Sequence, residues 1–231
     1  MPVTIFARPE PGPAETNALK LAEFLGLPAT LLVWPADQPC TEAALRARVP
    51  AGSVVVTSAS TLAALNTPAG AGRDWISAIG RVAGHIFVFG FDDSAGAREL
   101  LTQLSDGAVA GTSARRSGAK FEVPALARPW LGALAGLSFD DGGAGQERVF
   151  DQPPPGDSGV VLIRSDERPF LWRFTNRPGE GEWWLCAGAG PADLDAPVPR
   201  GTSLLQHFAG VTPLVAFLRA AEGARCWIVG R

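Results

Sequence analysis

Two serines and two aspartates occupy positions in this sequence where side chains could do chemistry. Ser58 and Ser60 follow the apolar run Ser53–Thr57, and Asp92 and Asp93 follow a second apolar run. A hydroxyl on a tight turn between a strand and a helix can act as a nucleophile when a base lies beside it. Neither serine lies in a G-x-S-x-G motif, so we favour close packing of small residues as the explanation of this turn.

Asp92 and Asp93 stand between a predicted strand and a predicted helix. A carboxylate there can accept a backbone N–H at the start of the helix, as can Ser94, and helix capping is the favoured interpretation. A ligand or metal role is the alternative, because ligands of open α/β folds bind at the carboxyl ends of the strands. The other acidic pair, Asp140 and Asp141, is predicted to form a solvated turn.

The chain is poor in groups that activate a nucleophile. His85 and His207 are its two histidines, and neither has an aspartate or serine partner at a suitable spacing. Cys40, Cys186 and Cys226 form no C-x-x-C pair, and Cys186 lies in the apolar run WWLCAGA, where a buried, inert thiol is expected. We therefore predict no catalytic residue, no metal site and no cofactor.

Adjacent tryptophans suggest a further recognition element. Trp183 and Trp184 lie in a predicted strand, so their rings must face opposite sides of a sheet. One ring is expected in the core, and the other either forms a platform for a sugar or a protein partner or is covered by a helix or loop. With Arg8 from the loop after the first strand, the candidate ligand-binding residues are Arg8, Ser58, Ser60, Asp92, Asp93, Trp183 and Trp184.

Composition narrows the class of protein. The 231 residues have a formal net charge of −3 and 19% charged residues, so no basic surface is expected for nucleic acid or an anionic membrane. No apolar run approaches the roughly 18 residues that a membrane span requires. The N-terminus lacks a signal-peptide pattern, and an odd number of distant cysteines favours a reducing compartment. The expected location is the cytoplasm.

The first hundred residues alternate short apolar runs with amphipathic helical patterns. Both faces of these strands are apolar, as in parallel sheets covered by helices on two sides. Successive β-α units predict a doubly wound, mainly parallel flavodoxin-like sheet. Strands are predicted at Val3–Ala7, Ala29–Trp34, Ser53–Thr57 and His85–Gly90, and helices at Ala14–Leu25, Thr41–Arg48, Ser60–Leu65, Trp75–Val82 and Ser94–Leu104.

The pattern changes after residue 106. We predict a single domain over 1–231, made of a β-α core (1–106), a loop-rich insertion (107–159) and a C-terminal β-meander with a closing helix (160–231). One strand is expected in the insertion and three at hairpin-like spacing in the meander. These strands are predicted at Lys120–Val123, Val160–Arg164, Pro169–Phe174 and Glu182–Ala187, and the closing helix at Ser203–Ala221.

The meander carries a resemblance to a known family. A strand containing ERPFLWRF, a polar turn, GEGEWWLCAGA and a closing helix resemble the C-terminal part of class I glutamine amidotransferase-like domains. Ala192–Trp227 is similar to a segment that precedes the catalytic barrel in some bacterial polysaccharide-deacetylase-like proteins. The amidotransferase activity requires a cysteine on a strand-to-helix turn, and Val54–Thr57 is followed by serine instead. LSFDDG (137–142) matches the deacetylase metal motif superficially, but the sequence lacks its H-x-x-x-H partner.

Three functions remain open on these grounds. The favoured one is a non-catalytic amidotransferase-like scaffold or binding module associated with polysaccharide metabolism. TIFARPEPGPAE and VVVTSASTLAAL are also similar to segments of uroporphyrinogen-III synthases, which implies an enzyme that binds a linear tetrapyrrole. The third is a small-ligand sensor at the carboxyl edge of the sheet. The expected partner is another protein or a small molecule or carbohydrate, and a homo-oligomer is also left open.

Overall fold

The computed structural model describes residues 1–35, 38–65, 74–116, 118–139, 147–152, 159–175, 180–191 and 208–223. Several residues singled out in the sequence lie outside the described residues. They are Asp140, Asp141, His207 and Cys226.

The predicted β-α succession is confirmed over the first 104 residues. The strands β1 and β3 are buried along their whole length, as expected of strands covered on both faces. Thr41 caps α2, as predicted, because its side chain accepts a hydrogen bond from the Ala44 N–H. In order the elements are β1 (Val3–Ala7), α1 (Pro13–Phe24), β2 (Ala29–Val33), α2 (Glu42–Arg48), β3 (Val54–Ser58), α3 (Ala59–Leu65), α4 (Asp74–Val82), β4 (His85–Phe89) and α5 (Ala95–Leu104).

The later elements are shorter and mostly strands. In the described part of the segment predicted as a loop-rich insertion lie four short strands and a short helix, more regular structure than its sequence indicates. Elements of two to four residues are too brief to show a periodic pattern. In chain order the elements after α5 are β5 (Thr112–Ala114), β6 (Phe121–Glu122), α6 (Arg128–Leu131), β7 (Ser138–Phe139), β8 (Arg148–Phe150), β9 (Gly159–Ser165), β10 (Arg168–Thr175), β11 (Glu182–Cys186) and α7 (Phe208–Ala221).

One mixed sheet unites the first and last parts of the chain. Its nine strands follow the order β2-β1-β3-β4-β11-β10-β9-β6-β7, and β5 pairs with β8 in a separate small sheet. The predicted meander is confirmed, since β10 runs antiparallel to both β9 and β11. The sequence did not predict that β11 pairs in parallel with β4 and so adds a fifth parallel strand. The fold is therefore α/β with a large mixed sheet.

The closing helix covers the junction between the two halves of the sheet. The ring of Phe217 in α7 lies 5.3 Å from Phe87 of β4 and 5.6 Å from Trp184 of β11, measured between ring centroids. Helix α1 packs against β1, β2 and β3. These contacts fix the strands whose ends carry the candidate site.

Candidate functional site

The carboxyl ends of four parallel strands surround a cavity of about 360 Å³. Strand β1 pairs with β2 on one side and β3 on the other, so the chain winds in opposite directions from this point. A crevice forms at such a reversal, and ligands of open α/β sheets bind there. The polar residues that line the cavity are Arg8, Glu15, Ser58, Ser60, Asp92 and Arg148.

A buried carboxylate anchors the floor of this cavity. Glu15, in the first turn of α1, is 5% exposed. Its Oε1 accepts hydrogen bonds from the Ser58 hydroxyl at 2.5 Å and from the Thr61 hydroxyl at 3.1 Å. Ser58 Oγ also accepts the Thr61 N–H at 3.2 Å and lies 3.1 Å from Ser60 Oγ. The network ties α1 to the turn where β3 passes directly into α3.

Glycines let the surrounding loops approach each other. A Cβ at Gly12 would lie 2.7 Å from Oε2 of Glu15. At Gly190 the φ is +98°, and a Cβ would lie 2.5 Å from the Phe89 ring. The Asn17 side-chain amide donates to the Pro191 carbonyl at 3.1 Å, which holds the loop after β11 against α1. The shape of the cavity therefore depends on glycine at these two positions as well as on the side chains that line it.

The predicted cap of α5 is confirmed, and Ser94 is the cap residue. Its hydroxyl accepts the Ala97 N–H at 3.2 Å. The Asp92 carboxylate accepts both the N–H and the hydroxyl of Ser94, at 3.0 and 2.6 Å, so it fixes the cap from outside the helix. Asp92 also lines the cavity, whereas Asp93 is 69% exposed and lines a neighbouring depression.

Arg148 is a site residue that the sequence analysis missed. It belongs to the three-residue strand β8, and its guanidinium donates to the hydroxyl and the carbonyl of Thr112 at 2.9 and 2.7 Å. Thr112 is buried and donates in turn to the carbonyls of Phe91 and Asp92. Because β8 follows a long loop-like stretch and shows no pattern, no signal in the sequence marks Arg148.

The two candidate tryptophans are not part of this site. Trp183 and Trp184 are both 0% exposed. Trp184 packs edge-on against Phe217 and donates its indole N–H to Glu182. Of the two alternatives for the second ring, covering is the one observed, because helix α7 and neighbouring elements cover both faces of β11.

The candidate acid–base groups are also kept apart. Strand β4 begins at His85 and ends at the cavity, so the imidazole is separated from the cavity by the strand's length, about 13 Å at 3.3 Å per residue. Cys186 lies at the cavity end of β11 but is 2% exposed, and burial raises the pKa of its thiol far above the usual range. A thiolate does not form readily in such surroundings.

One further acid lies behind the cavity wall. Burial raises the pKa of Glu147, an effect that the positive charge of Arg115 partly opposes. A Cβ at Gly188 would lie 3.1 Å from the Glu147 carboxylate, which places that carboxylate beside the loop after β11. Within the described ranges no group of three or more His, Cys, Asp or Glu residues is arranged to hold a metal ion.

Together these groups can form hydrogen bonds to a polar ligand. The cavity offers carboxylate acceptors, the exposed Ser60 hydroxyl and guanidinium donors at Arg8 and Arg148. The Ser58 proton is committed to Glu15, and no imidazole of the described residues lies beside it. Hydrogen bonding to a polar ligand is the chemistry that this arrangement supports directly.

No protein-family model matches the sequence, and no curated protein matches it. Solved structures that are similar in fold include three with these relationships to the chain. They are the cytoplasmic protein STM1381 of Salmonella typhimurium LT2 (TM-score 0.58, 14% identity, covering 94% of this chain and 98% of that one), the cytoplasmic protein STM3548 of Salmonella typhimurium (0.56, 12%, 96% and 98%) and Agd3, a novel carbohydrate deacetylase (0.51, 10%, 81% and 29%).

At these identities the likeness is one of fold. This chain corresponds to less than a third of Agd3. In the part of the chain that the structure describes, no helix has the length and apolar character to cross a bilayer. The comparisons thus support an α/β protein that shares its architecture with two cytoplasmic bacterial proteins and with part of a carbohydrate deacetylase.

Proposed function

We propose that this chain is a non-catalytic binding module of amidotransferase-like build whose ligand is a carbohydrate held at the carboxyl edge of the sheet. The parallel strands support the fold part of the proposal. Their order β2-β1-β3-β4-β11 corresponds to the flavodoxin-like order 2-1-3-4-5, with β11 in the fifth position. Under this proposal residues 1–231 form a single domain, and β9 and β10 extend its sheet.

The mixed polarity of the cavity lining carries the ligand part of the proposal. Arg8 and Arg148 can donate hydrogen bonds to a ligand, Asp92 can accept them, and Ser60 can do both. Sugar hydroxyls are also donors and acceptors, so a neutral polyol can use every member of this set. The carboxylates of Asp92 and Glu15 offset the two guanidiniums, so the lining has no net positive charge that would favour a phosphate or another strong anion. The cavity volume of about 360 Å³ suits a small ligand.

The state of Ser58 supports a binding role without a nucleophile. Its proton is donated to Glu15, and its oxygen accepts the Thr61 N–H, so both its donor and an acceptor position serve the fold. The turn after β3 thus uses a serine where an amidotransferase would need a reactive thiol. Glu15 and Ser58 position the cavity wall under this proposal.

The structural neighbours are compatible with this function. Agd3 is a carbohydrate deacetylase, and the two Salmonella proteins are cytoplasmic proteins, so we propose a polysaccharide-related role in the cytoplasm. The tetrapyrrole alternative requires two similar lobes, whereas strands from both ends of this chain share one sheet. No observation of the described residues favours that alternative.

Titration calorimetry with a defined ligand panel tests the proposal. The panel contains glucose, galactose, N-acetylglucosamine and their linear trimers, with ATP and inorganic phosphate as anionic competitors. We expect at least one saccharide to bind, and Arg8→Ala and Arg148→Lys to weaken that binding about tenfold, equivalent to about 1.4 kcal/mol. Arg46→Ala, on the distant helix α2, is the matched control and should bind as the unaltered protein does.

The opposite pattern would overturn the proposal. If no saccharide of the panel binds while ATP or phosphate does, the site is an anion site and the carbohydrate assignment is wrong. If a saccharide binds equally well to the unaltered protein, Arg8→Ala and Arg148→Lys, the ligand lies elsewhere on the molecule.

A further inference from the structure

A second cavity lies beside the first and has a volume of about 530 Å³. Its polar lining comes from the start of α5, from β5 and from the end of β8. Its charged residues are Asp93, Arg98, Arg148 and Asp151, and Thr112 lies among them.

The two cavities share a wall. Arg148 lines both of them, and Thr112 of the second cavity holds the Arg148 guanidinium from below. The Thr112 hydroxyl also donates to the carbonyls of Phe91 and Asp92, which belong to the loop of the first cavity. The hydrogen bonds of the buried Thr112 therefore fix the position of one cavity relative to the other.

The second cavity repeats the mixed polarity of the first. Arg98 and Arg148 face it as donors, and Asp93 and Asp151 face it as acceptors. Oδ2 of Asp93 lies 3.9 Å from Nη2 of Arg148, and the Asp93 side chain is largely open to solvent. Positive and negative groups are again balanced, so the same hydroxyl-rich chemistry suits both cavities.

We propose that the two cavities are adjoining subsites for a single linear oligosaccharide that crosses Arg148. One sugar unit occupies the first cavity and the next one or two units occupy the second. Arg148 donates to hydroxyls of both parts of the ligand, because its guanidinium presents several N–H groups in a fixed plane. This inference rests on the proposed carbohydrate function and specifies its substrate class as chains rather than free monosaccharides.

A chain-length series tests the inference. Calorimetry and protein-observed NMR titrations would use N-acetylglucosamine and glucose, each as the monomer and as the linear dimer, trimer and tetramer. We expect the trimer to bind about tenfold or more tightly than its monomer, with one oligosaccharide per chain. Arg98→Ala, an exposed position in the second cavity, should remove the gain from chain length and leave the melting temperature unchanged.

Each outcome bears on the inference separately from the function. Equal affinities for monomer and trimer, or an unchanged gain from chain length in Arg98→Ala, would overturn the two-subsite inference and leave carbohydrate binding in place. Two monosaccharides binding per chain with no preference for a linked trimer would show independent sites. If no saccharide of any length binds, both the inference and the proposed function are wrong.

Discussion

The two ends of the parallel strands carry similar side chains and use them differently. At the carboxyl end, acids, hydroxyls and guanidiniums surround a cavity between loops that follow β1, β3, β4 and β11. At the amino end, Glu182 binds Arg173 and the Trp184 indole, and its carboxylate lies 4.0 Å from Nδ1 of His85. There oppositely charged groups pair with one another directly.

The backbone explains much of the difference. At the amino end a Cβ at Gly181 would lie 2.2 Å from the Ala83 carbonyl oxygen, so the segment before β11 and the segment before β4 approach each other closely. Arg173 also lies over the ring of Trp130, 4.2 Å from its centroid, which uses that aromatic face. Residue type therefore does not identify a site on this chain. A binding site also requires an opening between the strand ends. Here the opening lies beside β1, where the order of the strands along the sheet reverses.

The largest expected effect distinguishes core tryptophans from ligand-contacting ones. Trp184→Ala removes a fully buried ring that packs against Phe217, and we expect a loss of about 3–5 kcal/mol in the free energy of unfolding. Chemical denaturation measures this loss. Trp184→Phe should lose much less free energy of unfolding and should keep its affinity for saccharide. A stable Trp184→Phe variant that no longer binds saccharide would show that Trp184 contributes to the binding site.

The next effect concerns the shape of the cavity. Gly190→Ala adds a methyl group against the Phe89 ring at a positive φ, and we expect a loss of about 1–3 kcal/mol together with weaker saccharide binding. Gly26→Ala is the matched control, because Gly26 also has a positive φ, +75°, but nothing lies within 4 Å of its added Cβ. Equal losses in the two variants would mean that backbone strain alone, and not close packing, makes glycine necessary at Gly190.

A smaller effect is expected at the floor of the cavity. Ser58→Ala removes a donor to the buried Glu15 carboxylate, and the free energy of unfolding should fall by about 1–3 kcal/mol. Ser60→Ala, an exposed neighbour on the same turn, should leave the melting temperature nearly unchanged. A reversed order of the two losses would contradict the anchoring role given to Ser58.

The smallest effects are differences in pH dependence. Burial raises the pKa of Glu147, so the carboxyl favours folding below its unfolded-state pKa of about 4.3, and that contribution is lost as the pH rises through the higher folded-state value. Glu147→Gln should therefore gain stability relative to the unaltered protein between acidic and neutral pH. Thermal melts across this range measure the gain.

Glu42 provides a control of opposite sign. Hydrogen bonds from Arg81 and Arg46 lower the pKa of this exposed carboxyl, so its contribution is present above the ordinary carboxyl pKa and is lost as the pH falls. Glu42→Gln should lose a little stability at neutral pH and none in acid. Parallel pH profiles for the two variants would contradict the burial of Glu147.

The sequence predicts the β-α half of the fold because its signals are local. Apolar runs, caps such as Thr41 and the helical pattern before Gly26 all lie within a few residues of the elements they define. The parallel pairing of β11 with β4 joins residues almost a hundred positions apart, and no local pattern encodes it. The site follows the same division. Arg8, Ser58, Ser60 and Asp92 were predicted from strand ends, whereas Arg148 enters from a three-residue strand.

The most direct test of the central claim is an NMR titration of the isotopically labelled protein with linear N-acetylglucosamine and glucose trimers. We expect saturable shifts of the backbone amides of Arg8, Ser60, Asp92 and Arg148, at the carboxyl ends of the strands, and no shifts at His85 and Glu182. Shifts confined to the amino ends, or no saturable shift with either trimer, would contradict the claim that the carboxyl edge binds carbohydrate.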